Sequence, residues 1–368
     1  MKRLILILLS STLLCTPAFS QKKPAAKDGY KFETVVRCPI TQVKDQALSG
    51  TCWCFSGISF IESEILRSTG EECDLSEMFV VSNAYYDRAL KYVRLHGNLN
   101  FGPGSSFSDV LAVLETCGIV PESAMPGLNY GTGKHAHFEM DEILKAIVSA
   151  VVKNPNTRLT PAWKIGFKAM VAAYLGEVPA SFTVDGKEFT PKSYMASLGI
   201  QLSDYVDISS WTHHPFYEKM VIEVPDNWRA RYAYNVPLDD MIAIIDNALD
   251  LGYTVAWASD VTEPGFKEDG IAVVPETEVT QEMRQAAFDD YSTTDDHGMH
   301  IFGKATDQNG TEYYMVKNSW GKSGPYEGIW YVSKAYVRYK TTDIVVNKNA
   351  IPSGIASKLQ LSILRKKN

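Results

Sequence analysis

The sequence predicts an α+β fold in which a mainly helical N-terminal half precedes a strand-rich C-terminal half. Between Phe55 and Leu66, apolar residues recur at intervals of three and four, which is the spacing of one helix face. In the second half, apolar runs flank Asn309-Gly310, a dipeptide that tolerates the positive φ angles of a tight hairpin turn. A chain of 368 residues can bury a full core, in two domains or in one elaborated domain.

The composition excludes several classes of protein. With 45% hydrophobic and 21% charged residues, the chain resembles neither a disordered protein nor a polytopic membrane protein. Its formal net charge of -7 argues against a nucleic-acid partner, because a phosphate backbone is bound by clustered Lys and Arg.

The first twenty residues have the pattern of a signal peptide. Two basic residues precede the apolar run 4–14, and Ala18-Phe19-Ser20 supplies small residues for a cleavage before Gln21. We therefore predict a signal peptide over residues 1–20 and a secreted or periplasmic mature protein. The apolar run is too short to span a bilayer, so no membrane span is expected after cleavage. Lipid attachment at Cys15 is an alternative, which the bulky leucines before it disfavour.

Helical patterns dominate the first part of the mature chain. Residues 21–38 lack a sustained hydrophobic period and are predicted to form a leader. A helix is expected from about Thr51 until Gly70 stops it, and two more are expected over Leu75 to Leu95 and Phe107 to Thr116. We assign residues 39–125 to a helical half that contains these three helices.

The middle of the chain is predicted to be an insertion. Over residues 126–237, apolar side chains keep a helical period at 143–151 and again at 165–174. We expect a helical insertion with a small core of its own.

Strand character dominates the end of the chain. A strong helix over Leu238 to Leu251 opens a β-rich half, residues 238–347. Strands are expected over Tyr253 to Ala258, His297 to Ala305 and Tyr313 to Lys317. Residues 348–368 have little periodicity and are assigned to a C-terminal tail.

Five cysteines remain once the predicted signal is removed: Cys38, Cys52, Cys54, Cys73 and Cys117. In an oxidising compartment an odd thiol either is reactive or pairs with another chain, so one of the five is a candidate for chemistry. The other four could form up to two disulfides in any of three pairings.

Four residues have the types and order that thiol-based acyl transfer requires. Cys52 begins the first predicted helix, where unpaired N–H groups favour a thiolate. His297 is the candidate base, and an amide oxygen of Asn318, brought close by the predicted hairpin, can fix its ring. Gln46 can offer its side-chain amide, beside the N–H of Cys52, to a developing oxyanion.

Other histidines have simpler explanations. His300 competes with His297 as the base, but an odd separation on a strand places the two on opposite faces, so we expect His300 to be packed or hydrogen bonded. The pairs His135/His137 and His213/His214 suggest metal ligands, yet neither pair is accompanied in sequence by helix-spaced acids or cysteines. We expect surface histidines and no metal site.

Two stretches carry a family resemblance. The segments Gln46-Ala-Leu-Ser-Gly-Thr-Cys52-Trp-Cys-Phe-Ser and Lys317-Asn-Ser-Trp-Gly321 resemble the two signatures of papain-like cysteine peptidases. Within that clan the chain is more similar to the bleomycin hydrolase and bacterial aminopeptidase C group. This closer resemblance is carried by Ser49-Gly-Thr-Cys52-Trp, Phe189-Thr-Pro-Lys-Ser-Tyr, Val255-Ala-Trp-Ala-Ser-Asp-Val261 and Asp296-His-Gly-Met299.

The resemblance, which covers most of residues 41–347, implies a papain-like fold with a cleft between a helical half and a β-barrel-like half, enlarged by a helical insertion. It implies no metal or organic cofactor. Members of the group commonly form hexamers, so a homo-oligomer is expected, and their C-terminal residues hold the free amino terminus of the substrate.

Two further expectations concern the cleft. The segment Phe101-Gly-Pro-Gly-Ser-Ser stands where the family has a Gly-Gly stretch on the non-primed side, so Gly102 and Gly104 are the candidate substrate-binding residues. Trp320 is expected to shield the His297–Asn318 hydrogen bond from water.

Residues and resemblance together predict a cysteine peptidase that hydrolyses peptide bonds through a Cys52 thioester, and specifically an aminopeptidase for peptides with a free amino terminus. An endopeptidase or a broader amide hydrolase with the same residues is the alternative within this chemistry. A non-catalytic oligomeric binding protein on a peptidase fold is the alternative of another class.

Overall fold

The computed structural model of this chain describes residues 29–155, 158–276 and 278–363. The predicted signal peptide, with Cys15, and most of the predicted leader lie outside these residues. From Phe32 onward the chain forms one unit.

Ten α-helices are present in the described part of the chain. Their bounds are α1 Cys52–Thr69, α2 Glu77–Arg94, α3 Phe107–Cys117, α4 Phe138–Val152, α5 Ala162–Leu175, α6 Pro191–Ser197, α7 Leu238–Asp250, α8 Gln281–Asp289, α9 Lys334–Lys340 and α10 Ser353–Lys358. The helices expected in the first half, and the one expected to open the second half, are confirmed with small shifts at their ends.

The strands form one large mixed sheet and one small hairpin. Their bounds are β1 Phe32–Arg37, β2 Phe182–Val184, β3 Lys187–Phe189, β4 Tyr205–Ser209, β5 Lys219–Val221, β6 Tyr232–Asn235, β7 Val255–Ser259, β8 Phe266–Lys267, β9 Ile271–Ala272, β10 His297–Asp307, β11 Glu312–Lys317, β12 Ile329–Ser333 and β13 Thr341–Asn347. The sheet order is β5-β6-β4-β13-β7-β10-β11-β12-β9-β8, with β1 also paired to β10, while β2 and β3 form the hairpin. The predicted α+β class is confirmed.

Strand β10 pairs with three other strands. Its first half pairs with β7 and its second half with β1, while β11 occupies the opposite edge. The predicted β10–β11 hairpin is confirmed, but only Gly310 of the Asn309-Gly310 turn has a positive φ, of 79°. Instead, the carboxylate of Asp307 accepts the N–H of Asn309 and closes the turn. The hairpin brings the start of β10 and the end of β11 to one end of the sheet.

Helix α1 packs directly on β10. It ends at Gly70, whose φ of 78° provides the left-handed C-cap expected of glycine. The contact with β10 is close at Gly298, where an added Cβ would lie 2.8 Å from the hydroxyl of Ser56 and 3.2 Å from the ring of Phe107. A glycine on the strand therefore lets the helix approach the sheet at this point.

Two apolar cores occupy the two faces of the sheet. Alternate residues of β7 and β13 point to different cores, as the two-residue period of a strand requires. Ala256 and Val345 join the first core, which contains the faces of helices α1 to α6, and Trp257 and Ile344 join the second core, beneath α7.

The segment 126–237 differs from the predicted helical insertion. It contains α4 to α6 but also β2 to β6, and β4 pairs with β13 in the main sheet. The apolar faces of α4 and α5, for example Leu144 and Phe167, join the first core instead of closing a small core of their own. Strands of three to five residues are too short to show a clear two-residue period, which is why the sequence pattern missed them.

Both ends of the described chain are attached to this unit. Strand β1 lies within the predicted leader, and it pairs with β10 from Phe32↔Asp307 to Arg37↔Gly303. At the other end, Leu361 and Ile363 of the predicted tail pack against the second core. No helix of the described residues is both long and apolar enough to cross a membrane.

Candidate active site

Cys52 is the first residue of α1, as the sequence predicts. The first turn, Cys52-Trp-Cys-Phe, carries no acidic residue that would oppose a thiolate at this helix end. The backbone N–H groups of Gly298, in β10, and of Trp53 act to lower the pKa of the Cys52 thiol. The packing of α1 on β10 thus places the thiol beside the residue that follows His297.

His297 is held by Asn318 at the end of the hairpin. The Nε2 atom of His297 lies 2.8 Å from Oδ1 of Asn318, and the same oxygen accepts the N–H of Ser319 at 2.8 Å. Because this oxygen is an acceptor, Nε2 carries the proton and donates it. In the neutral ring Nδ1 is therefore unprotonated and can accept a proton from a thiol.

Gln46 is held at the site because its backbone pairs in antiparallel fashion with the segment that follows Asn318. Its N–H donates to the carbonyl of Ser319 at 2.8 Å, and Asp45 forms a β-bridge with Trp320. The hydroxyl of Ser319 donates to Oε1 of Gln46 at 2.6 Å. This bond fixes the amide plane, so the Nε2 donor group of Gln46 has a defined direction.

Trp320 covers the imidazole. Its ring lies 4.7 Å from the ring of His297, at an interplanar angle of 31°. It is itself held edge-on against Trp330 and Phe266. One third of Trp320 is exposed, so the ring separates the imidazole from solvent on that side.

Cys52, His297 and Gln46 line one open cavity of about 420 Å³. Trp320 lines it too, and Asn318 lies behind the imidazole rather than on the wall. The lining also contains four carboxylates and, among the residues described, no Lys or Arg: the acids are Asp226, Asp295, Asp296 and Asp343. The cleft around the thiol is thus acidic. Burial raises the pKa of all four acids, that of Asp343 to about 7 and that of Asp296 to about 6, so they are not all ionised near neutral pH.

Burial disfavours the separate charging of the thiol and the imidazole. It raises the pKa of Cys52 to about 12, and Asp295 and Asp226 act in the same direction against the two N–H groups. Burial also lowers the pKa of His297 to about 4, although the hydrogen bond to Asn318 opposes this shift. Near neutral pH neither group ionises alone, so a thiolate forms here only by transfer of its proton to a neighbouring base.

The two candidate substrate-binding glycines have different positions. Gly104 lines the cavity, whereas Gly102 is not among the lining residues. The guanidinium of Arg88 donates to the carbonyl oxygens of both glycines and of Asn100. These carbonyls are therefore engaged with a buried cation behind the cleft wall.

His300 is a packed residue, as predicted. Its Nδ1 lies 2.9 Å from the hydroxyl of Ser59 in α1, and the ring is fully buried.

The five described cysteines are all free thiols, so the structure has none of the three possible disulfide pairings among them. Cys54 is fully buried and donates to the carbonyl of Glu77 at 3.3 Å.

The remaining histidine pairs differ from the prediction. His137 is fully buried rather than at the surface, because the segment 135–137 pairs with Leu48 in the loop before Cys52. His213 and His214 both contact Glu223, at 2.9 and 3.0 Å; this acid lies ten and nine residues further along the chain and was not predicted from the sequence.

The hydrogen bonds of His213 determine which of its ring nitrogens carries the proton. The Gln285 amide nitrogen donates to Nδ1 of His213, and its orientation is fixed because Oε1 accepts the N–H of Thr212. Nε2 of His213 therefore carries the proton and donates to Glu223. In this arrangement the lone pair of that nitrogen is occupied by its proton, while the donor atoms of His213, His214 and Glu223 lie within 4.8 Å of one another, close enough to hold a metal ion.

Several residues of the site were not found from the sequence, among them Ser319 and Asp226. Ser319, which orients Gln46, was overlooked although it lies between two residues of a recognised motif. Asp226 belongs to the loop between β5 and β6, where a Pro-Asp-Asn turn gives no sign that it reaches a cleft formed by distant elements.

Comparisons with known proteins agree with this geometry. A family model described as Peptidase C1-like family matches residues 177–366, and one described as Papain family cysteine protease matches residues 30–90. The crystal structure of PepW from Lactobacillus rhamnosis HN001 superposes with a TM-score of 0.70 at 20% identity, covering 89% of this chain and 84% of that chain. These matches confirm the predicted papain-like fold.

Several curated proteins are similar in sequence. Aminopeptidase C of Streptococcus thermophilus is 21% identical, over 84% of this chain and 80% of its own. Aminopeptidase E of Lactobacillus helveticus is 20% identical, over 83% of this chain and 81% of its own. Cathepsin K of Gallus gallus is 34% identical over 100 residues, which are 24% of this chain and 27% of that protein.

Proposed function

This chain belongs to the peptidase C1-like family and is a cysteine-type peptidase, and we propose that it is an aminopeptidase that acts through a thioester at Cys52. Similar proteins that span most of its length are named aminopeptidases. The observation that carries the proposal is the single cavity that holds Cys52 with the Asn318-oriented His297.

The first half of the reaction forms the acyl-enzyme. The proton of the Cys52 thiol passes to Nδ1 of His297 as the sulfur attacks the scissile carbonyl carbon. The carbonyl oxygen becomes an oxyanion, which the side-chain amide of Gln46 and the N–H of Cys52 stabilise. When the C–N bond breaks, His297 returns the proton to the departing amine, and the acyl group remains on sulfur.

The second half releases the acid. A water molecule gives a proton to His297 and attacks the thioester carbonyl. The C–S bond then breaks, and the proton returns to the sulfur of Cys52. Asn318 holds the ring in the tautomer that both halves require.

An endopeptidase or a broader amide hydrolase would use the same four residues, so the alternatives differ in the non-primed side of the cleft. The similar proteins named aminopeptidases cover more than four fifths of this chain, whereas Cathepsin K matches only 24% of it, and this favours exopeptidase action. A non-catalytic binding protein has no need of an imidazole with a fixed tautomer beside a thiol.

Matched peptides test the proposal. The wild-type protein should hydrolyse a peptide with a free amino terminus and spare its N-acetylated twin, and Cys52→Ala should hydrolyse neither. Labelling by a thiol-directed epoxide, located by mass spectrometry, should modify Cys52. Absence of hydrolysis together with absence of an adduct would favour the binding protein, and equal hydrolysis of both twins would favour the endopeptidase.

Two further proposals concern the whole protein. We propose that it is exported, on the basis of the signal-like residues 1–20, and mass spectrometry of the exported protein should then find a chain that begins near Gln21. We also propose a homo-oligomer, which sedimentation would detect as a species larger than one 40.9 kDa chain.

A further inference from the structure

The loop between β5 and β6, residues 222–231, crosses from the sheet to the helical half and reaches the cleft. It is clamped at its far side, where the indole N–H of Trp228 donates to the hydroxyl of Ser105 at 2.7 Å. Arg229 pairs with Asp87 at 2.8 Å and with buried Asp109. The loop is thus fixed to α2 and α3 rather than free at its tip.

Within this loop, Asp226 lies directly on the cleft wall at Gly104. An added Cβ on Gly104 would overlap the Oδ2 atom of Asp226. The path that an extended peptide would follow beyond this glycine is therefore occupied by a carboxylate. A side chain in this position limits how many substrate residues fit on the non-primed side.

The two carboxylate oxygens of Asp226 have different surroundings. Oδ1 accepts from Asn100 at 3.3 Å and lies 3.9 Å from Nη2 of Arg88. Oδ2 is the oxygen nearest to Gly104, on the wall of the cavity. One oxygen is thus anchored and the other is available to a ligand.

The charge of this part of the cleft favours a cation. The described residues that line the cavity include four acidic side chains and no Lys or Arg. Burial raises the pKa of all four, but the guanidinium of Arg88 behind the wall favours the ionised form of Asp226. Asp226 is also close enough to Cys52 for its charge to raise the pKa of the thiol. A substrate ammonium at Asp226 would lie within reach of the reacting centre.

We propose that the Oδ2 atom of Asp226 binds the α-ammonium group of the substrate, and that Asp226 is the specificity-determining residue for a free amino terminus. This inference rests on the proposed aminopeptidase function and adds the group that recognises the terminus. The recognition comes from the inserted part of the chain rather than from the described tail, whose Leu361 and Ile363 pack against the second core.

Asp226→Asn tests the proposal because it keeps the shape of the side chain and removes its charge. We expect kcat/KM for the free-amino peptide to fall roughly 10- to 100-fold, as for a lost hydrogen bond to a charged group, and cleavage of the N-acetylated twin to be unchanged. Glu188→Gln, in an exposed part of β3, removes one negative charge away from the cleft and should leave both rates as in the wild type.

Two more variants test the same proposal, and labelling of Cys52 checks that each of them is folded. Asp226→Ala should gain cleavage of the N-acetylated peptide, because it opens the non-primed side. Gly104→Ala should shift preference in the same direction as Asp226→Asn, by displacing the carboxylate. Epoxide labelling of Cys52 at the wild-type rate shows that the catalytic centre of each variant is intact.

The possible outcomes separate the two proposals. If the wild type prefers the free amine and Asp226→Asn keeps that preference unchanged, Asp226 is not the recognising group, although the aminopeptidase function stands. If the wild type cleaves neither peptide, the function itself is wrong.

Discussion

Two thiols at the start of helix α1 and two imidazoles on strand β10 have different environments in this protein. Cys52 and His297 line the open cleft, whereas Cys54 and His300 are buried in the interior just behind it. Cys54 donates to a backbone carbonyl, and His300 contacts the hydroxyl of Ser59. In the proposed mechanism, position relative to the cleft and the partner of each side chain, rather than residue type, therefore decide which pair can react.

The interior region also contains buried charges with a structural role. Lys44 pairs with Glu62 at 3.3 Å and with Glu77 at 2.8 Å, beside the loop that leads to Cys52. Changes in the cleft should therefore affect turnover, and changes in the interior should affect stability.

The largest expected difference between the regions is that between the two cysteines. Cys52→Ala should lower kcat by roughly 10⁶-fold, the size of effect seen when a nucleophile is removed from a catalytic triad. Cys54→Ala should keep turnover within a few-fold of the wild type, since its sulfur is fully buried away from the cleft. Steady-state hydrolysis of a free-amino peptide measures both. A large loss of turnover in well-folded Cys54→Ala would contradict the prediction that only the cleft cysteine takes part in turnover.

The next largest effect is expected in the interior. Lys44→Met removes the cation between two buried carboxylates and should lower the free energy of unfolding by about 3–5 kcal/mol. Chemical denaturation measures this loss. The exposed control Lys358→Met should change stability by less than about 0.5 kcal/mol.

This interior variant also has a predicted pH dependence. Burial raises the pKa of Glu77 to about 8, although Lys44 opposes the shift. A raised pKa means that the folded state binds the proton more tightly than the unfolded state, so stability falls as pH rises above the unfolded value. Without Lys44 the pKa of Glu77 should be higher still, so the fall should extend to higher pH. Stability of Lys44→Met that rises from mildly acidic to neutral pH would contradict the assignment.

A smaller effect is expected for the oxyanion donor. Gln46→Ala should lower kcat by roughly 10²- to 10³-fold, or about 2.7–4 kcal/mol, without loss of Cys52 labelling. Ser319→Ala should produce part of this loss, because its hydroxyl orients the Gln46 amide. If Gln46→Ala raised KM alone, the residue would contribute to binding rather than to the transition state.

Much of the cleft could be predicted because its residues lie in local patterns. Cys52 starts a helix whose apolar period is clear, and the Asn309-Gly310 turn brings the two strands that carry His297 and Asn318 together. Those patterns determine local structure, and the hydrogen bond between His297 and Asn318 follows from the hairpin.

Other parts depend on contacts between distant segments, which a local pattern does not encode. Asp226, which contacts Asn100 across 126 residues, belongs to a loop of 126–237, where the sequence predicted only helices. The burial of His137 depends on pairing with Leu48, far away in sequence. Whether two cysteines form a disulfide depends on the distance between the elements that carry them, and the spacing of cysteines in the sequence does not determine that distance.

The most direct test of the account is the pH dependence of Cys52 alkylation by iodoacetamide in the wild type, in His297→Ala and in the interior control His300→Asn. The wild type and His300→Asn should react readily near neutral pH, because the thiol can pass its proton to His297. In His297→Ala the thiol loses this acceptor while burial still raises its pKa, so its rate should be low at neutral pH and rise about tenfold per pH unit through the alkaline range. Coincident profiles for the wild type and His297→Ala would contradict the claim that these two side chains share a proton.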